Sequence, residues 1–266
     1  MQLTVQLYKM QVIPDTPVKY YLRSHREEFF VNDWVGLSLE IGFKGEIHCL
    51  HCGRTIRKTY GQGYCYPCFL SIPETSECVL RPELCQAHLG ISRNMEWSKE
   101  HCLQDHFVYL ALTSAVKIGV TRSSQIPERW IDQGAWKAIR FAHTPNRYTA
   151  GLIEVALKNH LPDKTNWRHM LTDKKDDKQN LLEIKAFAFK WIPGELSHFF
   201  TYDDTITTIE YPVSSYPLSV HQLNLLNTPS FKGILVGIRG QYLLFKDGTL
   251  FNVRAHQGYV VGLTVG

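Results

Sequence analysis

The chain has 266 residues, 44% of them hydrophobic and 20% charged, a composition that can bury real cores and excludes wholesale disorder. Its length suits two or three small domains better than one, and no run approaches the ~18 apolar residues of a membrane-spanning helix. With 29 Lys plus Arg against 25 Asp plus Glu, the net charge of +4 is compatible with nucleic acid but too weak to argue for it alone.

The start of the chain, Met1 to Met10, alternates polar and apolar residues and lacks the apolar core of a secretory signal, so a cytoplasmic protein with no membrane partner is expected. Residues 1–48 read as an N-terminal β region. Leu3, Val5 and Leu7 alternate with polar residues, and short runs at Val18–Leu22 and Leu37–Ile41 are separated by turn residues such as Pro14-Asp15 and Asn32-Asp33.

Residues 49–106 form a separate zone, because all 7 cysteines lie between Cys49 and Cys102. In a reducing compartment, clustered thiols in odd number read as metal ligands before disulfides. Cys49-x-x-Cys52 and Cys65-x-x-Cys68 are separated by a twelve-residue spacer. Two such knuckles on facing hairpins complete a tetrahedral thiolate site, and thiolate softness favours Zn2+. The spacing resembles a zinc ribbon, closed and therefore structural. His48, His51, Arg54, Arg57 and Lys58 make it locally basic.

Cys78, Cys85, His88, Cys102 and His106, with His101 nearby, are candidates for a second structural zinc tying the ribbon to the next domain. Their spacing leaves the choice among the three histidines open.

Residues 107–185 alternate strand and helix patterns. Phe107–Leu112 and Val116–Thr121 read as a β-hairpin. A helix capped by Ser123 or Ser124 follows, with Pro127 in its first turn, Arg129 on it and Gly134 near its end. Thr149 is expected to cap a second helix, Ala150 to Leu161, closed by Pro162. Glu154 falls in the middle of its apolar face, where a carboxylate is costly unless it is paired or metal-bound. The charge run Asp173–Lys178 reads as a solvated loop or helix start. Residues 186–266 are expected to form a C-terminal β domain. Its clearest hairpin is Leu243–Phe245 and Leu250–Val253 around Asp247-Gly248. Strands at both termini can share one small barrel or sheet, through which Arg239, Tyr242 and Arg254 could meet single strands.

The order of motifs in residues 107–170 resembles the GIY-YIG endonuclease superfamily. Val108-Tyr109-Leu110 matches the first signature through its tyrosine, and Lys117-Ile118-Gly119 stands at the second with lysine in place of tyrosine. Arg129, Glu154 and Asn166 follow at the expected intervals. The fold class the resemblance implies is α+β: a zinc ribbon plus a small GIY-YIG-like αβ domain, flanked by terminal β-strands.

The resemblance further implies a phosphodiesterase acting on nucleic acid, DNA or RNA. Glu154 would carry Mg2+ or Mn2+, Tyr109 would act as or position the base, Arg129 would clamp the phosphate, and Lys117 would contact it. Arg122, Arg147 and Arg168 are further candidates for phosphate contact, with Trp167 a base-stacking candidate or a buried anchor. Gln133, four residues after Arg129, cannot shuttle a proton. Together with Lys117 it favours the alternative of an inactive nucleic-acid-binding or adaptor protein. The whole chain is also similar to an uncharacterised bacterial family in which a zinc ribbon precedes this module. That likeness is carried by Cys78, Arg81–Cys85, Lys117–Arg122, Arg129–Ala135 and Gly237–Tyr242.

Overall fold

The computed structural model describes every residue except His25, Arg26, Pro162, Asp163, Lys164, Asp176 and Asp177. The expected helix-closing proline and two acids of the charge run therefore lie outside the described residues. In chain order the strands are β1 (Gln2–Gln6), β2 (Gln11–Ile13), β3 (Lys19–Arg23), β4 (Glu28–Phe30), β5 (Ser38–Ile47), β6 (His106–Leu112), β7 (Val116–Arg122) and β8 (Lys137–Thr144). They continue with β9 (Ile206–Thr208), β10 (His221–Gln222), β11 (Ser230–Arg239), β12 (Tyr242–Phe245), β13 (Thr249–Asn252) and β14 (Tyr259–Val265). The helices are α1 (Tyr66–Ser71), α2 (Met95–His101), α3 (Glu128–Asp132), α4 (Arg147–Lys158), α5 (Trp167–Leu171) and α6 (Leu181–Ala188). This is a mixed α+β chain.

It divides into two compact units. The first comprises Met1–Phe69, Leu171–Asp173 and Ile209–Gly266. Both termini contribute to one sheet of order β1-β14-β5-β11-β12-β13-β10, and a separate sheet has the order β2-β3-β4. The barrel alternative is thus corrected: β1 and β10 are unpaired edges, and the large sheet stays open. Its centre is held by period-two burial. Along β14, Tyr259, Val261, Leu263 and Val265 are buried and the residues between them are half-buried. The expected β12–β13 hairpin is present, with Leu244 opposite Leu250. At its turn Gly248 takes φ +91° and Asp247 Oδ1 accepts from the Thr249 amide at 2.9 Å. Arg239 is fully buried. It pairs with Asp173 at 3.0 Å, and the rings of Tyr211 and Tyr216 flank it, so this arginine is a core group of the unit and not a surface contact for single strands.

The second unit comprises Leu70–Met170 and Lys174–Thr208. Its sheet has the order β7-β6-β8-β9, all antiparallel. One face carries Val108, Leu110, Ile118 and Ile139, packed with Ala150, Ile153 and Leu157 of α4 and with Leu181 of α6. The stretch 186–205, expected as strand, instead continues α6 into short 3-10 turns, with a lone bridge of Phe200 to Ala142 before β9 joins the sheet.

Two helix starts differ from expectation. Asn146, not Thr149, caps α4, its side chain accepting from the Thr149 amide at 2.9 Å. Asn is an equally good cap, and the preceding Pro145 keeps residue 144 extended so that the helix can begin only afterwards. Neither Ser123 nor Ser124 caps α3: they form a separate 3-10 turn, and Pro127 occupies the N-cap position with no side-chain bond.

Gly151 lies inside α4, where glycine costs about 1 kcal/mol relative to alanine. The packing explains it, since a Cβ here would collide with the backbone of Pro82 and Glu83. The Pro82–Leu84 turn therefore rests directly on the helix backbone. Gly151→Ala should lower stability by about 1–3 kcal/mol through this overpacking, despite the better helix propensity of alanine. Urea titration of the variant checks the sign: stabilisation would contradict the contact.

Candidate functional site

The first cysteine cluster is built in the first unit. The Sγ atoms of Cys49, Cys52, Cys65 and Cys68 all lie within 4.8 Å of one another. The first knuckle turns tightly because Gly53 adopts φ +69° and donates its amide to Cys49 O at 2.9 Å. The second knuckle is not on a hairpin as expected: Cys65 precedes α1 and Cys68 lies on it.

The ribbon is anchored on its own unit. The His48 amide donates to Gly258 O and the Leu50 amide to Gly63 O. Burial pushes the Cys49 thiol up, but the backbone amides of Cys52, Cys65 and His51 outweigh it and hold it at about 6. Cys68 is pushed up to about 12, chiefly by its hydrogen bond with Cys65. Four convergent thiols with one already primed as thiolate match the donor set of a soft divalent ion such as zinc, with no position left open.

The second cluster lies in the second unit. Cys78, Cys85 and Cys102 place their Sγ atoms within 4.8 Å of one another. Ala87, Trp97, Leu103 and Tyr148 pack around them. Arg147 at the start of α4 is turned into this cluster, donating to Cys78 Sγ at 3.8 Å, Cys78 O at 3.4 Å and His101 O at 3.0 Å. That commits an arginine expected to meet phosphate. Hydrogen bonds from the Cys102 and Cys85 thiols hold the Cys78 thiol far below the usual range, against the effect of burial, and Arg147 adds to it. His88 is exposed and stacks on Tyr148, while His101 stacks on Trp97. His106 is buried, and burial pulls its ring down to about 4.

A third constellation gathers where β6, β7, α3 and α4 meet in the second unit. Tyr109 on β6 stands opposite Gly119 on β7, and a Cβ on Gly119 would come within 2.5 Å of the Tyr109 hydroxyl. The glycine thus makes room for the phenol. Gln133, at the end of α3, bridges it to Arg129. With its amide oxygen facing Arg129 it accepts from Nε and Nη2, each at 3.2 Å, and its NH2 donates to Tyr109 Oη at 2.8 Å.

Burial pushes the Tyr109 phenol up; the charges of Arg129 and Glu154 both reach it, the first lowering and the second raising its pKa. Trp130 meets the Tyr109 ring edge-on at 6.0 Å. Glu154 and Lys117 are each 7% exposed, and Lys158, one helical turn on, lies 3.4 Å from Glu154 Oε2.

Other expected residues serve locally. Asn166 Oδ1 accepts from the His169 amide at 3.2 Å and caps α5. Arg168 stacks over Trp167, which is half-buried and not the enclosed anchor considered for it. Arg122 donates to Glu100 O at 3.3 Å. Gln133, which cannot shuttle a proton, instead joins the Tyr109 phenol to the Arg129 guanidinium. Its signal was present, for it stands one helical turn beyond Arg129.

A family model described as "Protein of unknown function (DUF2797)" matches residues 36–261. No curated protein and no solved structure matches the chain. Among the described residues, no helix is long and apolar enough to cross a membrane.

The four-cysteine cluster predicts at least one zinc per chain in gently purified protein. Cys49→Ser should lose that equivalent and lower the thermal midpoint, because structural zinc binding is folding free energy of about 10 kcal/mol or more. Elemental analysis with a melting curve checks both.

Proposed function

The chain belongs to the DUF2797 family, and we propose that its second unit is a GIY-YIG-like phosphodiesterase acting on nucleic acid. The observation that carries this reading is the convergence of Tyr109 from β6, Arg129 and Gln133 from α3, and Glu154 from α4 onto one locality. The three elements are far apart in sequence, and an ordinary core would not bring a phenol, a guanidinium and a carboxylate into one neighbourhood.

Each residue has a role set by its chemistry. Arg129 offers a planar fork of donors suited to the non-bridging oxygens of a phosphodiester, where negative charge grows in the transition state. Gln133 fixes the plane of that fork and the direction of the phenol. Tyr109, raised by burial, keeps its proton at neutral pH; it therefore serves as a hydrogen-bond donor that orients a water or phosphate oxygen, and not as the base. Lys117 supplies an ammonium as a point charge where the superfamily has its second tyrosine. Glu154 is the carboxylate that would hold Mg2+ or Mn2+, since one carboxylate with waters and phosphate oxygens suits a hard octahedral ion. When bound, that ion supplies Lewis-acid polarisation of the scissile phosphate.

A second reading is favoured by one observation. Lys158 already faces the Glu154 carboxylate at 3.4 Å, which would stabilise the carboxylate in a protein that binds nucleic acid without cutting it.

The deciding experiment incubates full-length wild type and Glu154→Gln with single- and double-stranded DNA and RNA, in Mg2+ and in EDTA. The expected result is cleavage that vanishes in EDTA and in Glu154→Gln, with binding retained. Arg129→Ala should slow cleavage by about a hundredfold or more and also weaken binding. Gly119→Ala should slow cleavage with zinc content unchanged, because the added methyl displaces the Tyr109 ring. Cleavage indifferent to chelation and to Glu154→Gln would overturn the reading, and binding with no cleavage under any condition would establish the non-catalytic one.

A further inference from the structure

We propose that the four-cysteine ribbon of the first unit is a docking surface for single-stranded nucleic acid, with Tyr66 as a base-stacking ring and Arg57 and Lys58 as phosphate contacts. The starting observation is charge. Between Glu46 and Glu74 the chain has no acidic residue, while Arg54, Arg57 and Lys58 fall inside that stretch. All three are exposed, and none of them forms an ion pair among the described residues. Other exposed cations are matched locally: Lys19 with Asp15 at 2.6 Å, Arg23 with Glu28 at 2.7 Å, Lys99 with Glu96 at 2.8 Å. A divalent ion held by four thiolates adds net negative charge within the ribbon, and these cations outnumber it. What remains is a small positive surface that attracts a polyanion.

The second observation is aromatic. Tyr66, which opens α1 directly after Cys65, is 53% exposed. Its ring lies 5.1 Å from that of Tyr60, and Lys58 Nζ stands 4.9 Å from the Tyr60 centroid. Phe69 backs Tyr60 at 6.1 Å. A cation, a phenol ring and an exposed second ring thus follow one another along one small module. Rings beside unmatched cations fit a polyanion whose bases are free to stack, because every base has a flat face to offer. A duplex hides those faces in its own stack. An acidic peptide could meet the cations but has no flat face for the rings.

The ribbon is held in this form before anything binds. Tyr60 and Tyr64 exchange amide bonds at 2.8 and 3.0 Å around Gly61-Gln62-Gly63. Gln62 takes φ +66°, an uncommon state for a residue with a side chain. It is fixed from the C-terminal segment of the same unit: Gln257 Nε2 donates to Gln62 O at 2.9 Å, and Arg254 Nε donates to Gln62 Oε1 at 2.8 Å. Arg254 is thereby stationed at the Tyr60–Tyr64 turn as a further cation. A surface fixed in advance loses less entropy on binding.

This surface belongs to the first unit, and the proposal stands whether or not the second unit cleaves. The test is fluorescence anisotropy of the full chain with labelled oligothymidylate, oligouridylate and a duplex of the same length, without added Mg2+. Tyr66→Ala should weaken both single strands about fivefold to a hundredfold and leave the duplex unchanged, and Tyr66→Trp should bind them at least as well as wild type. Arg57→Gln and Lys58→Gln should each lower the slope of log affinity against log salt by about 0.7. A bromouridine-substituted strand irradiated with wild type, which guards against a variant that fails to fold, should crosslink to the peptide carrying Tyr60 and Tyr66. Single-strand affinity unchanged in Tyr66→Ala, an equal loss for the duplex, salt slopes unchanged in both charge variants, displacement of the strand by polyglutamate at matched charge, or crosslinks confined to other peptides would each overturn the assignment.

Discussion

The second unit depends on α4 being packed from two sides at once. Its apolar face, Ala150, Ile153 and Leu157, lies in the core formed with β6, β7 and β8. On another side the bare backbone at Gly151 receives the Pro82–Leu84 turn. Little freedom remains to a helix so constrained, either to rotate or to slide, because interiors are packed at crystal-like density. Everything polar that it carries is thereby aimed. Arg147 at its start reaches into the three-cysteine cluster, and Glu154, two turns on, is held buried in the neighbourhood of Tyr109.

This arrangement explains why a short unit tolerates so many buried polar groups. Glu154, Lys117, Lys185 and His106 are all buried in it. Each would be expensive alone. Lys185 shows how the cost is met: its ammonium donates to Asp203 O at 2.7 Å and pairs with Asp204 at 2.9 Å. Tyr109, Gln133 and Arg129 share hydrogen bonds in the same spirit, each polar group satisfying the next. A network of this kind holds the guanidinium and the phenol in one geometry.

The first unit solves a different problem. Its large sheet is made from both ends of the chain, so the pairings of β14 with β1 and β5 join residues separated by most of the chain length. The entropy of such long loops grows only slowly with length, and the two-residue burial rhythm of β14 repays it. The four-cysteine ribbon is tied to the segment that enters β14 through the His48–Gly258 and Gln257–Gln62 bonds, which gives the cysteine knuckles a firm support.

Local patterns fixed much of this in advance. The paired Cys-x-x-Cys motifs are legible because a tetrahedral thiolate site needs two tight turns, and only a few spacings allow it. The β6–β7 and β12–β13 hairpins are legible because alternation and turn chemistry act over a few residues. The approximate place of α4, and the burial of Glu154 upon it, follow from a period of 3.6. What the sequence could not decide were questions answered by distant residues. Strands at the two termini suit a barrel or an open sheet equally, and the choice lies in which edges meet. Gln133 looked like a missing catalytic group until Tyr109 and Arg129 were seen on either side of it. Three histidines had equal claim to the second cysteine cluster by spacing, and among the described residues the structure gathers its three cysteines without any of them. In each case the deciding energy is desolvation or packing between elements far apart in the chain, which no local pattern encodes.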